Sequence, residues 1–84
     1  MSRISKRLQK FANNPVDVKW DQFRTIIEYY NLIVDNPRGG SHFIVYHPED
    51  KDNTMIVAPV HNNRLKRLYV ERIITLIETF EEGE

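Results

Sequence analysis

The chain has 84 residues, twelve Lys or Arg against twelve Asp or Glu, a formal net charge of zero and no cysteine. One small domain fits that length, burying roughly 60 to 65% of the surface that an extended chain exposes. A disulfide framework and a thiolate metal site are excluded, bulk electrostatic attraction to nucleic acid is removed, and no apolar run approaches the ~20 residues of a membrane span or the apolar core of a signal peptide. A globular, cytoplasmic protein is the default expectation.

Residues 3 to 12 read as a short helix, with Ile4, Leu8 and Phe11 at helical spacing, and Asn13-Asn14-Pro15 ends it because proline cannot continue the ladder. A second helix is expected from near Asp17, a good N-cap, with Trp20, Phe23, Ile27 and Tyr30 as its core-facing stripe and Asn31 as the left-handed residue that closes it. Periodicity then switches from helix to strand. Leu32 to Val34 is the first strand, Asp35 to Gly40 is dense in turn residues, and Ser41 to His47 is the second strand. A polar loop over residues 48 to 53 leads to a third strand, Thr54 to Ala58, after which Pro59 is expected to take Val60 and His61 out of the sheet. Leu65 to Phe80 reads as the last helix, with Leu65, Tyr69, Ile73, Leu76, Ile77 and Phe80 on one side, and residues 81 to 84 should fray.

The resulting order is α, α, β, β, β, α, an α+β arrangement. Side chains alternate along a strand, so His42, Ile44 and Tyr46 share one face and Phe43, Val45 and His47 the other. Both sets are substantially apolar, and alternation alone does not say which face the helices cover.

Charge is unevenly spread. Arg3, Lys6, Arg7 and Lys10 crowd the first ten residues with no acid, Glu78, Glu81, Glu82 and Glu84 crowd the last ten with no base, and Arg64, Lys66 and Arg67 form a third cluster. Each can be a solvated helix face; the functional alternative is that the basic clusters converge with Arg38 on an anionic ligand.

The stretch richest in chemistry is Gly39-Gly40-Ser41-His42-Phe43-Ile44-Val45-Tyr46-His47. A glycine pair permits positive φ or a close approach of backbone to ligand, and it delivers a hydroxyl and an imidazole to the start of a strand. A bare turn-plus-His pattern is also common in ordinary hairpins, so its context has to carry the argument. The three histidines show no metal-ligand spacing: no pair stands at i, i+4 on a helix or at alternate positions on a strand, and no Cys or Glu-His grouping supports them.

That context is similar to a known family. Arg38 followed by Gly40-Ser41-His42 entering a strand, His47-Pro48 before a polar hairpin, and Val57-Ala58-Pro59-Val60-His61 before Leu65-Lys66 at the last helix together resemble a HicA-type toxin, the small mRNA interferase of HicA/HicB toxin–antitoxin systems. The resemblance covers roughly residues 16 to 80. It implies a double-stranded-RNA-binding-domain-like fold (α-β-β-β-α, a three-stranded antiparallel sheet with helices on one side), with residues 1 to 15 as an additional N-terminal helix and 81 to 84 as a tail. It also implies a metal-independent endoribonuclease without cofactor, His42 as its catalytic group, mRNA as substrate and a HicB-type antitoxin as partner. The chain departs from the family in its neutral charge, in Asn31 where Gly often ends the helix, and in Asn62-Asn63 where glycines often follow the His. Asn tolerates positive φ best among non-glycine residues.

Chemically, a neutral imidazole at His42 suits removal of a 2′-hydroxyl proton, and backbone N–H groups of Gly39-Gly40-Ser41 with Arg38 can hold the phosphate. His61, His47 or water can protonate the leaving oxygen, and His61 ranks above His47 because His47 points to the opposite strand face. Lys6, Arg7, Lys10, Lys66 and Arg67 are the candidate cations for the rest of an RNA. Two alternatives share this fold: a non-catalytic RNA-binding module that uses those cations, and a chain without cleavage activity that serves mainly to bind the antitoxin.

Overall fold

The computed structural model describes residues 6–82, with side chains through residue 80. Helix α1, Lys6–Asn13, therefore begins at the first described residue, and residues 3–5 of the expected helix lie outside that range. Leu8 is fully buried, and Phe11 meets Phe23 edge-on with ring centroids 5.2 Å apart.

The next helix starts later than its sequence suggests. Asp17 is not its N-cap: Asp17 takes a φ of 61° and its carboxylate pairs with the Arg64 guanidinium. Val18–Lys19 forms a short strand, β1, and helix α2 runs Trp20–Tyr29. Its orphan N–H groups are met from 42 residues down the chain, where the Asn63 carbonyl accepts the Trp20 N–H at 2.8 Å and Asn63 Oδ1 accepts that of Asp21 at 3.1 Å. The other end follows expectation. Asn31 has a φ of 66°, its N–H donates to the Glu28 carbonyl at 3.0 Å, and the Leu32 N–H donates to that of Ile27 at 3.3 Å, the paired bonds of a Schellman ending.

Beyond α2 come β2 (Ile33–Asp35), β3 (His42–Tyr46), the one-turn helix α3 (Lys51–Thr54), β4 (Ile56–His61), β5 (Arg64–Leu65) and α4 (Arg67–Glu82). The sheet has five strands in the order β1-β5-β4-β3-β2, every pair antiparallel, rather than three. The three expected strands are β2, β3 and β4; the additions are two-residue pairings too short to leave a periodic signal.

Pro59 does not end its strand. It stands opposite His42, and the Val60 N–H donates to the Ser41 carbonyl at 2.7 Å, so the ladder groups of Val60 point toward β3 and those of Pro59 point the other way. On that other side β5 pairs only with Val60 and His61, so the missing proline N–H falls where the neighbour has already stopped. The strand then turns back through Asn62 and Asn63, with φ values of 51° and 60°, the two positive angles of a type I′ hairpin. Leu65 belongs to β5 and not to the last helix, and α4 continues through residues 81 and 82, which were expected to fray; residues 83 and 84 lie outside the described range.

Burial settles which face is inside. Val45, Ala58, Val60, Leu65 and Val18 join Phe23, Ile26 and Ile27 of α2 and Val70, Ile73, Ile74 and Ile77 of α4 in a single core. Helix α1 packs on α4 and α2. His42, Ile44 and Tyr46 thus face away from the helices. Among the described residues no helix is long and apolar enough to cross a membrane.

Asn63 holds a turn and caps a helix, whereas Asn62 holds only the turn. Replacing each by Gly keeps the positive φ, so Asn63→Gly is expected to lower unfolding stability by about 0.5–1.5 kcal/mol through loss of its side-chain bonds, and Asn62→Gly to change it little. Urea unfolding of the two variants checks this; equal midpoints would show that the Asn63 side chain contributes nothing to the start of α2.

Candidate functional site

The loop that delivers His42 is built by its own residues. Pro37 fixes φ at the second position of a turn closed by the Gly39 N–H donating to the Asn36 carbonyl at 3.1 Å, which leaves Arg38 in the turn's exposed middle. Gly39 has a φ of 68°, and Asn36 Nδ2 donates across the loop to the Gly40 carbonyl at 3.2 Å. The chain then enters β3, tied to β4 by the Ser41 carbonyl.

The result is a cleft of about 300 Å³ lined by Pro37, Arg38, Gly40, His42, Ile44 and Val57. His42 is exposed, Ile44 and Val57 are cross-strand partners, and Val57 is 47% exposed. No ion pair engages Arg38 among the described residues, so its charge is available. His61 lies on the same sheet face: it stands two residues beyond Pro59, the partner of His42, and such diagonal neighbours sit about 7–8 Å apart. Arg64 pairs with His61 across the hairpin and Lys19 with Arg64, which extends the polar end of this face.

No protein-family model matches this chain, and no curated protein and no solved structure matches it.

The other candidates are placed elsewhere. His47 is on the helical side, where its ring stacks on Phe80 with centroids 3.8 Å apart, its Nδ1 accepts the Glu49 N–H at 3.1 Å and its own N–H donates to Thr54 Oγ1 at 2.8 Å. That is a structural role at the start of α3. Lys6, Arg7 and Lys10 ride on α1 in the helical layer, across the sheet from His42, so the basic clusters do not converge with Arg38 on one site. Lys66 leads into α4, its carbonyl accepting the N–H groups of Tyr69 and Val70, and Arg67 is bound to Glu71 at 2.9 Å. Ser41 is not among the residues that line the cleft, and its carbonyl is committed to β4. The Gly39 N–H is committed to its turn and cannot serve a phosphate, which leaves Arg38 and the Gly40 side of the loop.

Residues that sequence reasoning did not single out include Ile44 and Val57 as the floor of the cleft and Lys19 beyond it on the same sheet face, beside Arg64 of the third basic cluster. Strand alternation signals the first pair only once the covered face is known; the second pair depends on two-residue strands. The described residues hold no group of three His, Cys, Asp or Glu side chains able to hold a metal ion.

The two glycines of the loop differ in kind. A Cβ built on either meets nothing within 4 Å, but only Gly39 has a positive φ. Gly39→Ala is expected to cost about 1–2 kcal/mol of stability through backbone strain, while Gly40→Ala stays within about 0.5 kcal/mol of the parent. Thermal unfolding compares them, and an equal loss in both would mean that the loop needs glycine at Gly40 for the fold itself.

Proposed function

We propose that this chain is a metal-independent endoribonuclease of the HicA type, cleaving mRNA through His42 and held in check by a HicB-type antitoxin that covers the open sheet face. The observation that carries the reading is the placement of His42: exposed, at the mouth of a cleft with an unpaired Arg38, on the face that no helix covers. The segment from α2 to α4, with β2, β3 and β4 antiparallel between two helices packed on one side, is compatible with a double-stranded-RNA-binding-domain-like frame. On that frame α1 is the additional N-terminal helix.

In this mechanism the His42 imidazole takes the proton of a ribose 2′-hydroxyl, whose oxygen attacks the adjacent phosphorus. The P–O2′ bond forms as the P–O5′ bond breaks, and the departing 5′-oxygen takes a proton. Arg38 meets the charge that builds on the non-bridging oxygens. His61 is the proton donor, because it shares the face and reaches the same phosphate from the adjacent strand, whereas His47 is stacked under α4 on the other side.

Incubation with end-labelled RNA in chelator tests the reading. The parent is expected to leave 2′,3′-cyclic phosphate ends, His42→Ala to cut about 10²–10⁴-fold more slowly while still binding RNA, and His61→Ala to lose activity to a smaller or similar extent. Gly40→Ala should slow cleavage without unfolding, since Gly40 lines the cleft and an added methyl group meets no other atom within 4 Å. Binding without cleavage by the parent would favour the non-catalytic RNA-binding module, and equal cleavage by parent and His42→Ala would remove His42 from the mechanism.

A further inference from the structure

We infer that the open sheet face is a track for unstacked, single-stranded RNA, with Ile44 and Val57 as the seat of a base beside the phosphate at His42. The inference rests on the ribonuclease reading for which phosphate is held, but its evidence is the face itself. Paired residues form successive rungs: Ile33 with Tyr46, then Asp35, Ile44 and Val57, then His42 with Pro59, then His61, Arg64 and Lys19. In the rung of Asp35, Ile44 and Val57 the two aliphatic side chains adjoin, with Val57 47% exposed, and Ile33, 38% exposed, stands one rung further on beside Tyr46.

The ends of the track are cationic. Lys51 holds its ammonium 4.9 Å from the Tyr46 ring centroid at one end, and the cations Arg38, Arg64 and Lys19 lie toward the other, in the company of the imidazoles of His42 and His61. Asp35 is the one carboxylate among the strand residues of this face, and Arg64 is offset by Asp17. An apolar floor between cations complements a polyanion whose bases are free to lie flat.

Geometry separates single strands from duplexes. In an A-form RNA duplex the bases are paired and stacked inside the helix, behind a deep, narrow major groove that side chains cannot read, and the backbones lie outside. A stacked duplex would set charged phosphates against Ile44 and Val57 and offer them no base. An unstacked strand can put a base on that pair and its phosphate by Arg38 and His42 in the same cleft. Aliphatic side chains read no hydrogen-bond pattern, so the seat selects for an exposed base and only weakly for its identity.

The test uses the full chain carrying His42→Ala, so that RNA is bound uncut, with a short fluorescein-labelled RNA offered alone or annealed to its complement at one fixed ionic strength. The single strand is expected to bind about tenfold more tightly than the duplex, and adding Val57→Asn, which removes the apolar seat without adding charge, to remove most of that advantage while leaving duplex binding nearly unchanged. Val57→Thr, which keeps the β-branched shape at this exposed site, should weaken single-strand binding about threefold with an unaltered melting curve, so a loss cannot be ascribed to unfolding. Equal or tighter duplex binding, indifference to both Val57 variants, or no RNA binding would each overturn the track. Cleavage by the parent is read separately. A single-strand preference lost in Val57→Asn without parental cleavage keeps the track and removes the nuclease, and His42-dependent cleavage with equal duplex binding does the reverse.

Discussion

The register of β3 against β4 is the constraint on which everything else depends. With His42 opposite Pro59, Val45 and Ala58 point into the core and His42, Ile44 and Val57 point out. A slip of one residue would drive an imidazole under the helices and put Val45 in water, reversing every side chain of the strand. The register is pinned from both ends of the sheet. At one end the Asn62-Asn63 turn sets β4 against β5, and Asn63 bonds the first residues of α2, so the hairpin and the helix that packs on the sheet are positioned by one residue. At the other, the loop before β3 is closed by Asn36, which bonds both Gly39 and Gly40.

With the helices on one side, the other face is necessarily open to water among the described residues. Phe43 shows what covering does: it lies under α2, against Trp20 at a centroid separation of 4.9 Å, with the Arg24 guanidinium over its ring. Ile44, one residue on, has no helix over it. Its cover comes from its strand neighbours and from the loop carrying Arg38. The exposed apolar rung beside His42 is therefore a product of the architecture, an aliphatic pair left open to water next to an exposed imidazole.

How far the sequence could be read depended on the range of the interaction involved. Asn31 was legible as a helix end because positive φ is a property of the residue itself, and the three longer strands were legible because alternation spans several residues. Asp17 misled because an N-cap is defined by what its carboxylate bonds, and here Arg64, 47 positions away, takes that carboxylate while Asn63 serves the helix. Pro59 misled for a related reason. A proline breaks a central ladder only where the adjacent strand needs its N–H, and β5 is too short to need it. His42 and Arg38 stood out through the glycine turn, the charge clusters and the family resemblance taken together, but the face on which His61 lies could not be read until Pro59 was known to stay in the strand.

The zero net charge looks at first like an argument against RNA, and the distribution of ion pairs answers it. Arg24 is bound to Glu28 and Arg67 to Glu71, each one turn apart on its own helix, so these cations offset acids locally and project little field. Arg38 has no such partner among the described residues and stands in the cleft with His42. What a phosphate meets within a Debye length of about 8–10 Å is the local arrangement, not the sum over the chain. On the proposed reading, affinity for RNA is gained at contact, from a few charges and an apolar rung, with little non-specific attraction at long range. Such a surface favours flexible strands that can conform to it over rigid ones that only present phosphates.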